Sequence, residues 1–191
     1  YTLVPEAHSR VLALGMGVLV PAAARRSHRI ITDAESTRRD LREHLGVPEA
    51  KVDVVPLGVN PVPPVEPTAP DVLRERLGIP RDRPVLLSVS GKKPSKNLPR
   101  LIDAVGGVAS RPVLVVPGYP TPHEAELRAR AAERGVDAVW PPWLDAADLE
   151  GLYALADGFA FPSLYEGFGL PVLEAMARGV PVATSDRGSL A

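Results

Sequence analysis

The sequence predicts an α/β protein: a doubly wound parallel sheet with helices on both faces, preceded by a shorter stretch of the same kind. Three observations carry this. From Val85 onward, five short apolar runs recur, mostly without polar alternation, and helical stretches lie between them. A chain that alternates in this way builds a parallel sheet. A shorter strand-helix-strand pattern stands before them, and a proline tract divides the two.

The bulk numbers leave this room. The chain has 191 residues, enough for one domain or two small ones. Lys and Arg number 22 against 23 Asp and Glu, a net charge of -1, so no global field marks a binder of nucleic acid or anionic membrane. The absence of cysteine excludes disulfides, thiolate metal sites and a cysteine nucleophile, and permits a reducing compartment.

The elements follow in order. Residues 11–20, with Ala22 to Ala24 behind them, have the outline of a signal peptide core. The run is too short to span a bilayer, the chain opens on Tyr1, and Arg25-Arg26 leads straight into patterned sequence; a buried helix is expected instead. Ile30 to Thr32, Glu35 to Leu45 with Gly46 as its stop, and Val52 to Val55 make one βαβ unit. Pro61 to Pro70 reads as a stiff, extended linker. Asp71 is expected to cap a short helix ending at Leu77 and Gly78. Strands are expected at Val85 to Val89, Val113 to Val116, Val136 to Val139, Phe159 to Phe161 and Val180 to Ala183. Helices are expected at Leu98 to Val105, Glu124 to Arg134, Ala146 to Ala156 and Leu170 to Arg178. In such sheets ligands sit at the carboxyl ends of the strands, so the loops that follow strands are where to look.

One loop stands out. After Phe159-Ala160-Phe161 the chain reads Pro162-Ser163-Leu164-Tyr165-Glu166-Gly167-Phe168-Gly169, and then a helix with Pro171 in its first turn. Gly167 and Gly169 let backbone approach a ligand, and the free N–H groups of the helix start at Leu170 favour phosphate. Glu174 lies one turn in, and its side chain should lean back toward the loop, where a carboxylate can accept from a ribose diol. Glu166 could hold the hydroxyls of a second sugar. Singly, each glutamate is more readily a solvated or dipole-complementing residue. Two acids bracketing an anion-binding turn suit a nucleoside diphosphate-sugar.

The stretch FPSLYEGFGLPVLEAMARGVPVATSDRGSL resembles the family 4 retaining glycosyltransferases of the GT-B fold, whose hallmark is two glutamates separated by seven residues, as Glu166 and Glu174 are. HRIITDAESTRRDL, VVPLGVN, KNLPRLIDAV and LEGLYALADGFAFPS resemble further parts in the same order. The resemblance implies two Rossmann-like domains. Residues 1–60 would be the end of the acceptor-side domain, 61–70 the linker, and 71–191 a nucleotide-sugar domain that stops before its closing helices. It implies transfer of a hexose from a nucleoside diphosphate-sugar to the hydroxyl of a sugar, lipid-linked or small-molecule acceptor, with retention and without metal or other cofactor. Glu174 would bind the ribose, Gly167, Phe168, Gly169 and Leu170 the donor through backbone, and Glu166 the transferred sugar.

Lys96, in the loop after the first strand of the second domain, would meet the diphosphate, where a cation stabilises the charge that develops on the leaving group. Where many members have an arginine five or six positions before this lysine the chain has Gly91 or Ser90; Lys92 and Lys93 are both candidates to replace it, and Lys92 is placed among the donor contacts. Ala34 replaces a usual serine and Asn60 a common aspartate. None of His8, His28, His44 and His123 matches the family's active-site histidine. The expected location is cytoplasmic, with room for peripheral membrane contact through the first domain. The alternatives are a nucleotide-sugar-binding module without turnover, or another GT-B enzyme such as a nucleotide-sugar epimerase.

Overall fold

The structure, a computed structural model, describes residues 10–61 and 65–191; the expectation for linker residues 62–64 lies outside them. The described chain divides into two compact units. The first holds the residues up to Gly58 together with Leu164–Gly169 and Asp186–Ala191, and the second holds Val59–Ser163 and Leu170–Ser185. The sequence had suggested a single cut at the proline tract; two later segments join the first unit instead.

In the first unit, α1 (Arg10–Arg26) leads to β1 (Ile30–Thr32), α2 (Glu35–Leu45) and β2 (Val52–Val54). β1 and β2 pair in parallel, Ile30 opposite Val52. α2 ends as expected, because Gly46 takes the left-handed conformation (φ 65°) and its N–H returns to the Arg42 carbonyl. Ala24, Val47 and Val52 form a small core with Ile30, Leu41 and Leu45. Lys51 Nζ closes the last turn of α1 on the carbonyls of Ala24 (2.7 Å) and Arg25 (3.1 Å). The helix expected at 11–20 exists, but it is not buried: Leu14 and Val18 keep 75% and 71% of their surface. Among the described residues no helix is long and apolar enough to cross a membrane.

The second unit is a five-stranded sheet flanked by helices. Its elements are α3 (Pro70–Leu77), β3 (Val85–Leu87), α4 (Leu98–Gly106), β4 (Val113–Val115), α5 (Glu124–Glu133), β5 (Ala138–Val139), α6 (Ala146–Leu155), β6 (Gly158–Phe161), α7 (Leu170–Ala177) and β7 (Val182–Thr184). All strands are parallel, in the order β5-β4-β3-β6-β7. On one face, Leu98, Leu101 and Ile102 of α4 and Leu127 and Ala131 of α5 pack on Leu114, Val116 and Ala160. On the other, Tyr153 of α6 meets Phe159, which stacks on Phe161; both pairs of centroids are 6.0 Å apart.

Two expectations change here. Asp71 does not cap α3: the helix starts at Pro70, whose missing N–H is no loss there, and Asp71 pairs with Arg81 at 2.8 Å. β7 is not buried on both faces, since Ala183 and Thr184 are exposed.

α6 is held to the start of the unit by close approach. A Cβ on Gly151 would strike the Thr68 carbonyl and lie 2.6 Å from Leu73 Cδ1. Backbone cannot yield as a side-chain tip does. Gly151→Ala is therefore expected to destabilise the unit by about 1–3 kcal/mol, read as a lowered urea midpoint at unchanged slope.

Candidate functional site

The chain first adds strands outward from β3 through β4 to β5, then crosses back to place β6 on the other side of β3. At such a reversal the two loops diverge and leave a crevice at the carboxyl ends of the strands. The loops after β3 and β6 bound it.

After β3 the backbone runs through Ser88 to a tight helical turn, Pro94–Lys96, and into α4. Lys96 ends that turn, with its ammonium 5.2 Å from the centre of the Phe161 ring at the end of β6. Asn97 follows in the left-handed conformation (φ 55°), which asparagine tolerates better than most residues, and its Nδ2 donates to the Pro162 carbonyl at 3.1 Å. This bond ties the two loops together. Sequence reasoning missed it, although an asparagine just before a helix was the available signal.

Lys92, expected among the donor contacts, is instead a buried residue. Its side chain is 1% exposed, and Nζ donates to the Gly118 carbonyl (2.8 Å) and pairs with Glu124 (3.0 Å). Thr121 returns a bond to the Lys92 carbonyl at 2.7 Å. Despite its desolvation, the Glu124 carboxyl is held below the usual carboxylate range by Lys92 and Arg128. The ammonium thus fastens the β3 loop to the loop after β4.

After β6, Ser163 is buried and the chain enters the Leu164–Gly169 segment of the first unit. Gly169 is required there: φ is 97°, and a Cβ would lie 2.6 Å from Leu190 Cδ2. Gly167 has no such constraint, with open space where its Cβ would be. Glu166 and Phe168 are half-buried in the same segment, which runs directly into α7.

In the second unit, α7 begins at Leu170 with Pro171 in its first turn. Glu174, half-buried, accepts a hydrogen bond from the Tyr153 hydroxyl at 2.8 Å. Burial, and then the charge of Glu174, push the Tyr153 phenol up, so it stays a donor. Arg178 lies 5.0 Å from the Tyr153 ring centre, pairs with buried Glu150 and donates to the Glu174 carbonyl at 3.0 Å. Neither Tyr153 nor Arg178 was singled out from sequence, because both act across helices.

A cavity of about 270 Å³, largely apolar, opens beside the crevice, lined by Val89 after β3, Pro117 and Gly118 after β4, and Trp143, Leu144 and Leu149. Trp143 is 67% exposed and stacks on Tyr119 with centroids 5.0 Å apart and planes inclined by 16°. Aromatic residues in loops after strands were its only trace in the sequence. Among the described residues no three His, Cys, Asp or Glu side chains cluster to hold a metal.

The sequence pattern described as Glycosyl transferases group 1 matches residues 71–191, and that described as Glycosyltransferase Family 4 matches residues 4–62. The chain belongs to the group 1 glycosyl transferases. The chain is 34% identical, over 98% of its length, to a D-inositol 3-phosphate glycosyltransferase of Xylanimonas cellulosilytica, of which the match covers 46%. It is 39% identical over 54% of its length to the O-antigen chain mannosyltransferase B of Escherichia coli, of which 29% is covered. It spans about half the length of the inositol phosphate transferases it matches. In fold it is similar to Anabaena Alr3699/HepE, solved in complex with UDP and glucose, with a TM-score of 0.81, 22% identity, and coverage of 98% of this chain and 52% of that one. It is also similar to sucrose-phosphate synthase from Thermosynechococcus elongatus, at a TM-score of 0.79, 24% identity, and 99% and 49% coverage. The GT-B expectation holds.

Proposed function

We propose that the protein transfers a sugar from a nucleoside diphosphate-sugar to an acceptor hydroxyl, with retention at the anomeric carbon and without a metal. The observation that carries this reading is the crevice at the reversal of strand order, where Lys96 lies beside Phe161 and Asn97 bridges to Pro162. In this reading Lys96 and the N–H groups at Phe168, Gly169 and Leu170 meet the diphosphate, doing the work of a divalent cation in other transferases. Glu174 takes the ribose hydroxyls, Glu166 the transferred sugar, and the apolar cavity at Trp143 the base. Lys92 is left out, since its ammonium is already spoken for by Glu124 and Gly118. Retention rests on the family likeness: the acceptor oxygen attacks on the face that the diphosphate leaves, and its proton passes to the leaving phosphate oxygen.

Calorimetric titration with UDP, GDP and ADP tests donor binding, and nucleoside diphosphate release from the matching sugar donors tests transfer. Product analysis separates transfer from epimerisation. A second readout comes from tryptophan emission. Trp140 is 9% exposed whereas Trp143 is 67% exposed, so the nucleotide that binds is expected to quench Trp143 emission. Trp143→Phe should abolish most of the change while preserving a stacking surface; a full response in that variant would move the base away from this cavity.

A further inference from the structure

The Leu164–Gly169 segment is fastened on two sides within the first unit. On one side, the Tyr165 hydroxyl, one residue before Glu166, donates to the carboxylate of Asp40 in α2. On the other, the backbone carbonyl of Glu166 accepts from the N–H and the hydroxyl of Ser189, each at 3.2 Å. Gly188 packs so closely there that a Cβ on it would run into the Glu166 backbone.

We infer that Asp40 and Tyr165 are positioning residues for Glu166, fixing where its carboxylate meets the transferred sugar; this rests on the role proposed above for Glu166. A segment with Gly167 and Gly169 on its far side has little stiffness of its own, so its geometry must come from its anchors. Ser189 holds only the backbone of Glu166, which leaves rotation of the segment about that point. A second anchor one residue earlier removes this freedom. The Asp40–Tyr165 bond suits the task, because a carboxylate accepting from a phenol is stronger and more directional than a neutral pair. Burial, and then the bond to Asp40, raise the phenol's pKa well above its ordinary value, so the hydroxyl remains a donor at any working pH. Asp40 also stands one turn from buried Ser36, on the same face of α2.

The test compares Tyr165→Phe, Asp40→Ala and Asp40→Asn in the intact protein. Three quantities are read: nucleoside diphosphate release from the UDP-, GDP- or ADP-sugar it turns over, calorimetric affinity for the free nucleoside diphosphate, and amide hydrogen exchange in residues 164–169. Tyr165→Phe and Asp40→Ala are each expected to lower kcat on the order of tenfold, the scale on which small misplacements of reacting groups act. The double variant should be no slower than the worse single one, since both remove the same bond. Asp40→Asn, which still accepts, should recover part of the loss. Nucleotide affinity should change by less than about twofold, and exchange in residues 166–169 should quicken. Unchanged kcat in both disrupting variants overturns the inference, as does a fall in nucleotide affinity in step with kcat. If the unmodified protein turns over no donor, the functional reading fails instead, and exchange alone decides: unaltered protection rejects the two anchors and faster exchange supports them.

Discussion

Lys96→Ala is expected to reduce kcat/KM for the sugar donor by about 10²–10³-fold, the usual consequence of removing one charge-stabilising donor from a site where charge develops on a leaving group. The loss should fall more on turnover than on affinity for the free diphosphate, because the bridging oxygen gains charge only as the sugar bond breaks. Part of the effect is structural. The ammonium sits over the Phe161 ring at 5.2 Å, a contact worth about 0.5–1 kcal/mol at an accessible site, so a small drop in melting temperature should accompany the variant. Lys96→Arg separates the two contributions. It keeps the charge and can stack on Phe161, yet it presents a planar fork in place of a point charge, so stability should return fully and turnover only in part. A Lys96→Ala protein that turns over donor as fast as the parent would remove Lys96 from the reaction and shift the diphosphate elsewhere along the crevice.

How much of this was legible beforehand depends on the range over which each feature acts. The limits of α2 follow from its own residues, and so does its stop at Gly46, because helix periodicity and a left-handed glycine are local signals. The parallel sheet was legible for the same reason: Leu114, Val115 and Val116 are buried all round, and the sequence shows an unbroken apolar run. The misses are relations between distant residues. From sequence Lys92 is a candidate donor contact, and only the fold brings Glu124 and Gly118 onto its ammonium. The apolar run at residues 11–20 predicted a buried helix, but such a run does not specify what covers it; Leu14 and Val18 remain exposed. Glu166 and Glu174 were found together by their spacing, yet their anchors, Asp40 and Ser189 for the one and Tyr153 for the other, come from elements that no spacing rule connects. The loop's motif names the candidate residues, and tertiary structure supplies what holds them still.

Glu174 offers the second large effect, and its surroundings decide which variant is informative. Tyr153 occupies only Oε2, one part of a carboxylate that can accept about four bonds, so capacity remains for both hydroxyls of a ribose. Arg178 does not consume that capacity, being committed to Glu150 and to the backbone carbonyl of Glu174. Glu174→Gln is therefore expected to weaken binding of the preferred nucleoside diphosphate by about 1.5–3 kcal/mol, or roughly 10- to 150-fold, the range for a hydrogen bond to a charged group. Its amide oxygen can still accept from Tyr153, so the melting temperature should hold. Glu174→Ala differs in kind. It removes the same ribose contact but also strands the Tyr153 hydroxyl in a buried position, which should cost about 1–3 kcal/mol of stability as well. A loss of nucleotide affinity in the glutamine variant, at unchanged stability, isolates the carboxylate's role in binding. If that variant binds as tightly as the parent while the alanine variant merely unfolds more easily, Glu174 is a support for Tyr153 and the ribose must be held by another residue.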